Sequence, residues 1–300
     1  LIELALHRAA KKRSGQSDSA ARKLSSLADN LGAPLGAIVE KFPSLDQLHP
    51  FDHDIVNLSV GLDELRQSLG GIDWARKQLQ KLGGQFSSKA ARARGERALQ
   101  LQRQGYGRLT SVVRQVSDRL EFLRNARKTL GLLPAVDPET PLAVMAGAPN
   151  VGKSSLVRAI STGRPAVREY PFTTKSVSLG HITARYQKLQ VMDTPGLLDR
   201  PDAQRNNIEK HGLAALEHLS PSIMFVTDGS GTSGYPIEGQ QTLREELRQR
   251  FPDAHWLDIW SKCDLEQEKP LPEGALATSA TEETGVAEFK QAVIEMLLPE

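Results

Sequence analysis

The sequence contains a single cysteine, Cys263, in 300 residues. No intrachain disulfide can form, and a reducing compartment is expected. No apolar run approaches the ~18 residues that a membrane-spanning helix needs, so no contact with a membrane is expected. The chain lacks an initiating methionine and starts at Leu1, which points to a trimmed start and leaves room for a targeting segment already removed. A net charge of one sign is nearly lacking too, at +2, but the charge is unevenly spread. From Arg76 to Lys128 fourteen lysines and arginines face three acids, Glu96, Asp118 and Glu121, a local net of +11 that leaves −9 for the remainder. Such asymmetry predicts an anionic partner for one half. With 39% hydrophobic and 25% charged residues, the composition is that of a soluble globular protein, long enough for two domains.

No segment of residues 1–133 alternates apolar and polar with period two, so the spacing predicts an all-α bundle with antiparallel helices. Leu27, Leu31, Leu35, Ile38 and Val39 recur at helical spacing, with Pro34 suited to a first turn. Further helices are expected from Ile55 to Leu69, ending at Gly70-Gly71, from Ile72 to Leu82, ending at Gly83-Gly84, and from Gly107 to Leu130. The last carries Leu109, Val112, Val113, Val116, Leu120 and Leu123 on one face, so Arg114, Arg124 and Lys128 point away from the core. Three prolines mark residues 134–141 as a linker. From 142 to 300 the pattern becomes alternating strands and helices. Strands are expected at Leu142–Ala146, Ser176–Ala184, Leu189–Asp193, Ile223–Thr227, His255–Trp260 and Leu276–Thr278, and helices at Ala203–Leu219, Pro236–Phe251 and Val286–Leu297. This predicts an α/β domain with a mostly parallel sheet that binds ligands beyond the carboxyl ends of its strands.

Chemistry-bearing motifs fall at those ends. Gly147-Ala-Pro-Asn-Val-Gly-Lys-Ser154 fits G-x-x-x-x-G-K-S. Its glycines let successive N–H groups converge on phosphate oxygens, and the following helix adds its positive end. Gly147, Asn150, Val151, Gly152, Lys153, Ser154 and Ser155 are the expected phosphate contacts, with Lys153 reaching the β- and γ-phosphates and Ser154 ligating Mg²⁺. Asp193-Thr-Pro-Gly196 follows an apolar run; Asp193 would hold Mg²⁺ through a water, and the Gly196 N–H would sense the γ-phosphate. Between them, Thr174, with Thr173 as the alternate, would reach the metal only while that phosphate is present. In Ser261-Lys-Cys-Asp264 the Asp264 carboxylate can accept both N–H donors of the guanine edge while the Lys262 stem lies over the base. Ser261 stands where such motifs carry Asn, which predicts a weaker tie between this loop and the phosphate loop. Ser279 and Ala280 offer backbone N–H groups to the base carbonyl. A water-orienting Gln is missing after D-x-x-G: Leu197 and Leu198 stand there, so intrinsic hydrolysis should be slow. Asn150 either coordinates a K⁺ that bridges the phosphates or satisfies loop backbone.

With these motifs the chain resembles the Nog branch of the Obg-type GTPases, the nucleolar GTP-binding protein family, in its archaeal-length form. The likeness also runs through Tyr170-Pro-Phe-Thr-Thr-Lys175, Asp193–Pro201, Ile208-Glu-Lys210, Asp228-Gly-Ser-Gly-Thr-Ser-Gly-Tyr-Pro-Ile-Glu-Gly-Gln240, Phe42–Asp46, Asp63-Glu-Leu65, Tyr106-Gly-Arg108 and Leu120–Arg124. The resemblance implies GTP and GDP as ligands, Mg²⁺ and a role in large ribosomal subunit assembly. It also implies that the helical domain lies against rRNA of a pre-ribosomal particle, which agrees with the basic stretch. A monomer is expected, in the cytoplasm if the source is archaeal, in the nucleolus or an organelle if a eukaryotic chain was trimmed. Two other readings remain open from the sequence: a signalling or trafficking switch whose helical domain binds protein, and a nucleotide-binding scaffold without meaningful turnover.

Overall fold

The computed structural model describes residues 2–10, 16–133, 136–168, 177–195, 198–199, 205–219 and 221–299. They form two compact units, Leu1–Leu48 with Val60–Thr129, and His49–Ser59 with Leu130–Glu300.

The first unit is helical: α1 (Ile2–Ala10), α2 (Gln16–Lys41), a 3-10 turn (Leu45–Gln47), α4 (Leu62–Arg92), α5 (Glu96–Gln115) and α6 (Ser117–Leu130). In α2, Leu24, Leu27, Leu31 and Leu35 are fully buried, three or four residues apart. In α4, Leu65, Ser68, Ile72, Ala75 and Leu79 repeat the same stripe, and α2, α4 and α5 pack against one another along these faces. Two expectations about helix ends fail here. Pro34 lies inside α2 rather than in a first turn, because the leucine stripe carries the helix from Gln16 through it. The glycine pairs do not stop α4, which runs unbroken for 31 residues. A Cβ on Gly83 would meet the Ala28 Cβ at 2.3 Å, and one on Gly71 would overlap the Arg119 guanidinium. Gly83 lets α2 come close to α4, whereas Gly71 makes room for the Arg119 side chain; each glycine costs the helix ~1 kcal/mol relative to alanine. The helix expected from Gly107 to Leu130 is in fact two, parted at the buried Val116, whose φ and ψ are −112° and 13°. The Ser117 hydroxyl donates to the Arg114 carbonyl at 2.8 Å, competing with the regular ladder at the bend. Leu109, Val112, Val113 and Leu123 are buried as expected, whereas Leu120 is half-buried.

The second unit is built on a seven-stranded sheet. Its strands are β1 (Leu142–Ala146), β2 (Ala166–Arg168), β3 (Val177–Ala184), β4 (Gln187–Asp193), β5 (Ser222–Asp228), β6 (Trp256–Ser261) and β7 (Leu276–Thr278). Their order is β2-β3-β4-β1-β5-β6-β7, parallel from β4 to β7, with β2 and β3 antiparallel at one end. β1 is buried on both sides. Leu142, Val144 and Ala146 enter one core with Leu213 of α8 (Asn207–Glu217) and with Leu243 and Leu247 of α9 (Ile237–Arg250). Ala143 and Met145 enter the other with Leu156 and Ile160 of α7 (Lys153–Ile160) and with Phe289 and Val293 of α10 (Val286–Leu297). α8 starts with reciprocal bonds, Asn206 Oδ1 accepting from the Glu209 N–H at 2.8 Å and Glu209 Oε2 from the Asn206 N–H at 3.0 Å.

The division expected at 133 misses two features of this unit. Helix α3 (Pro50–Val60), expected in the bundle, buries Phe51 and Ile55 in the core of the second unit, and Asp54 lies 3.4 Å from His218. The described part of the proline-rich stretch is not a free linker. Val136 is buried, the Gln190 amide bonds both the N–H and the carbonyl of Asp137, and Pro141 accepts from the Gln190 N–H.

The glycine geometry yields a paired prediction for urea denaturation. Gly83→Ala should destabilise the helical unit by ~1–3 kcal/mol, since the Ala28 methyl has no room to yield. Gly84→Ala, where a Cβ meets nothing, should stabilise it by up to ~1 kcal/mol. Equal effects at the two positions would contradict the close-approach reading.

Candidate functional site

Four neighbouring parallel strands and β7 deliver the site loops at one edge of the sheet. After β1, Gly147 has a φ of 134° and its Cβ position would lie 2.3 Å from the Val226 carbonyl oxygen, so both conformation and space demand glycine. Gly152, with a φ of 99°, is the residue before α7 and turns the chain into the helix. The Lys153 ammonium is buried and donates to the Gly147 and Ala148 carbonyls at 2.8 Å each, so it lies folded against the loop it serves. Val151 is buried, whereas Ser154, Ser155 and Asn150 are exposed. Asn150 holds a left-handed φ of 62°, and its side chain makes no hydrogen bond among the described residues, so satisfying loop backbone is not its role in this conformation.

At the end of β4, Asp193 is fully buried. The Ser154 hydroxyl donates to its Oδ2, while its Oδ1 has no hydrogen-bond partner among the described residues. Burial pushes this carboxyl above the usual range, and Asp199 adds to the rise; the Ser154 hydroxyl and Lys153 pull the other way without prevailing. An orphaned carboxylate oxygen beside a serine hydroxyl is the oxygen donor set of a hydrated divalent cation, so Ser154 and Asp193 fit Mg²⁺. Thr173, Thr174, Gly196 and Leu197 lie outside the described residues. The N–H of Gly147 does bond the carbonyl of Leu198 at 2.9 Å, joining the phosphate loop to the segment after Asp193.

At the end of β6, Ser261 is buried, and its hydroxyl lies 2.7 Å from the Val151 carbonyl and 3.1 Å from that of Thr227. The expected loosening of this loop is therefore not seen. A serine hydroxyl has one proton to give, and the shorter contact gives it to the phosphate loop. Asp264 is exposed and without a hydrogen bond among the described residues, whereas Lys262, with a φ of 55°, places its ammonium 2.8 Å from both Asp228 and the Thr232 hydroxyl. After β7 the Ser279 N–H is already given to the Thr284 carbonyl at 2.9 Å, so of the two expected N–H donors only that of Ala280 is open among the described residues. The hydrogen bond of Cys263 N–H to Thr278 carbonyl, 3.1 Å, holds the last two loops together.

Sequence reasoning assigned no part to Asp228 and Gln240. The Gln240 amide bonds the Asp228 N–H at 2.9 Å and its carbonyl at 3.2 Å. The signal was present as the stretch from Asp228 to Gln240, dense in glycine, serine and threonine, but no spacing rule ties its first residue to its last. The expected line of three cations is also altered: Arg114 lies in the last turn of α5, while Arg124 and Lys128 lie on α6 beyond the bend at Val116. All three are exposed. Of the fourteen cations from Arg76 to Lys128, only Arg76, Lys77 and Arg124 pair with an acid among the described residues, while Arg119 donates to the Gln67 carbonyl and Lys89 lies over the Phe86 ring.

Known proteins resemble this chain in sequence. The family model described as NOG1 N-terminal helical domain matches residues 1–137, and the one described as 50S ribosome-binding GTPase matches residues 143–256. Nucleolar GTP-binding protein 1 of Arabidopsis thaliana is 34% identical over 245 residues, 81% of this chain and 36% of that protein. An uncharacterized protein of Methanocaldococcus jannaschii is 35% identical over 248 residues, 82% of this chain and 69% of its own length. A crystal structure of a nucleolar GTP-binding protein 1 from Plasmodium falciparum is 28% identical with a TM-score of 0.49, covering 55% of this chain and 90% of that one. The chain spans less than half the length of the plant protein and of its counterpart from Encephalitozoon cuniculi.

Asp193 supports a test by thermal melting with and without Mg²⁺. In chelator, Asp193→Asn should raise Tm by a few degrees, because it relieves a buried charge worth ~1 kcal/mol. Since the carboxyl is raised, its penalty builds as pH climbs above the ordinary 3.8, and variant and wild type should converge as pH falls toward that value. The variant should also lose the Mg²⁺-dependent rise in Tm. An unchanged Tm in chelator together with a retained Mg²⁺ response would contradict the metal assignment.

Proposed function

Because the chain belongs to the nucleolar GTP-binding protein 1 family of GTPases, we propose that it binds GTP, hydrolyses it to GDP and phosphate, and acts as a switch in large ribosomal subunit assembly. The observation that carries the nucleotide reading is the 2.7 Å bond from Ser261 to Val151, which joins a loop suited to reading a base to a loop suited to holding phosphates. The phosphates would take the N–H groups of residues 147–155, and Lys153 would trade its two carbonyl partners for phosphate oxygens. Ser154, and Asp193 through a water, would hold Mg²⁺, which when bound would supply charge neutralisation to the phosphates. Thr174 and Gly196 would respond to the γ-phosphate. With Leu197 in place of a glutamine, no side chain of that motif orients the attacking water, so turnover on its own is slow. The exposed Asn150 side chain is free to coordinate K⁺ beside the phosphates.

The partner follows from charge. Exposed cations on α4, α5 and α6, most of them without an acid partner among the described residues, suit the phosphate backbone of rRNA in a pre-ribosomal particle. Arg114, Arg124 and Lys128 are the residues assigned to that contact.

Two measurements test the two halves of this reading. Asp264→Asn should weaken GTP binding at least tenfold, ~1.4 kcal/mol, with ATP binding by the wild type far weaker than GTP binding; equal affinity for GTP and ATP would end the guanine assignment. Changing Arg114, Arg124 and Lys128 together to Glu should weaken binding to large-subunit rRNA and flatten the slope of log K against log salt by about two to three units. GTP binding and the circular dichroism spectrum should stay unchanged. A folded triple variant with the wild-type slope would return these positions to plain solvated surface.

A further inference from the structure

The Asp228 carboxylate is fully buried, yet no part of the nucleotide reading uses it. Its Oδ1 accepts the Ser230 N–H at 2.9 Å and the Ser230 hydroxyl at 2.6 Å. Its Oδ2 accepts the Ser233 N–H at 2.7 Å, the Lys262 ammonium at 2.8 Å and, more loosely, the Thr232 hydroxyl at 3.3 Å. A buried carboxylate with this many donors stays ionised: burial alone would raise it, but Lys262 and Ser230 together hold it below the usual range. The backbone of Asp228 is pinned in turn by the Gln240 amide, whose Nε2 also donates to the Tyr235 carbonyl at 2.9 Å. The Asp228–Gln240 stretch thus makes an anionic socket, and among the described residues the side chain from outside the stretch that bonds the Asp228 carboxylate is that of Lys262.

We propose that Asp228 is a positioning residue for base recognition: with Thr232 it anchors the Lys262 ammonium, and so fixes the aliphatic stem of Lys262 as the platform against which the guanine face packs. This rests on the nucleotide reading above. The physical case is one of entropy. A lysine side chain, with four rotatable bonds, loses much of its rotamer freedom when it is ordered. Here that cost is met before a nucleotide arrives, because the ammonium is already held by a desolvated carboxylate. The left-handed φ of Lys262 adds a second constraint on where its stem can go. Asp264, two residues on, is left exposed to read the base edge, so one loop divides edge recognition from face recognition.

A double-mutant cycle on the full chain tests this, with mant-GDP affinity in Mg²⁺ as the readout. Lys262→Met keeps most of the stem and removes the anchor; Asp228→Asn removes the socket's charge. Each should weaken mant-GDP about tenfold, and the double variant should be no more than about threefold weaker than Lys262→Met. If Asp228 served only to fold its own loop, the two losses would multiply to about a hundredfold, which would overturn the proposal. The exposed Thr232→Ala serves as a second probe should Asp228→Asn not fold. It should cost about threefold in the wild type and nothing in Lys262→Met, and an equal loss in both backgrounds would also overturn the assignment. A wild-type chain that fails to bind mant-GDP would instead remove the nucleotide reading itself, so the two failures are distinguishable.

Discussion

β1 is buried on both faces, and most of the second unit is arranged by that constraint. Five residues, Leu142 to Ala146, alternate between two cores that share no helix, so α7 and α10 must cover one side while α8 and α9 cover the other. A strand so placed can only be flanked by other strands, and its neighbours here are β4 and β5, both parallel to it. Their carboxyl ends therefore open at the same edge, and with them the glycine-rich loop, Asp193 and Asp228. The convergence of three functional loops follows from hydrophobic burial, without any attraction among the loops themselves.

The two buried aspartates at that edge are treated in opposite ways. Asp228 is surrounded by donors and its charge is compensated, so it behaves as a structural anion. Asp193 has one hydroxyl donor and an orphaned oxygen, and burial raises it. A buried acceptor left without a partner costs about 1–3 kcal/mol, a cost that a bound cation removes. The strain sits at the position where a metal would act, and the compensation sits where only geometry is needed. Ser261 connects the two regions: its single proton goes to the phosphate loop, a short link that a hydroxyl on a buried strand end can make as well as a longer amide.

The helical unit solves a different problem, that of packing long helices closely while leaving many cations on the outside. Gly83 against Ala28 and Gly105 against Leu24 and Phe86 bring α2, α4 and α5 together. The apolar stripes are narrow, so most of each helix circumference is left for water-facing Arg and Lys. Among the described residues, few of the cations from Arg76 to Lys128 pair with an acid of the unit, so their charge is met mainly by solvent in this structure.

Hydrophobic period, chain order and local motif were enough to read the all-α then α/β organisation, six of the seven strands with close boundaries, α10, and the loops bearing Lys153, Asp193 and Lys262. These are short-range properties, since strand burial, glycine conformation and capping act within a few residues. β2 was missed, since three residues with an exposed Val167 carry no apolar pattern. The glycine pairs in α4 were misread as stops, because whether a glycine ends a helix or admits a neighbour depends on Ala28 and Arg119, 55 and 48 residues away. The membership of α3 in the second core, the Ser261–Val151 bond across 110 residues and the Asp228–Lys262 pair across 34 were likewise decided only in three dimensions. A sequence states which groups a segment can offer; which distant group accepts them is set by the packing of the whole chain.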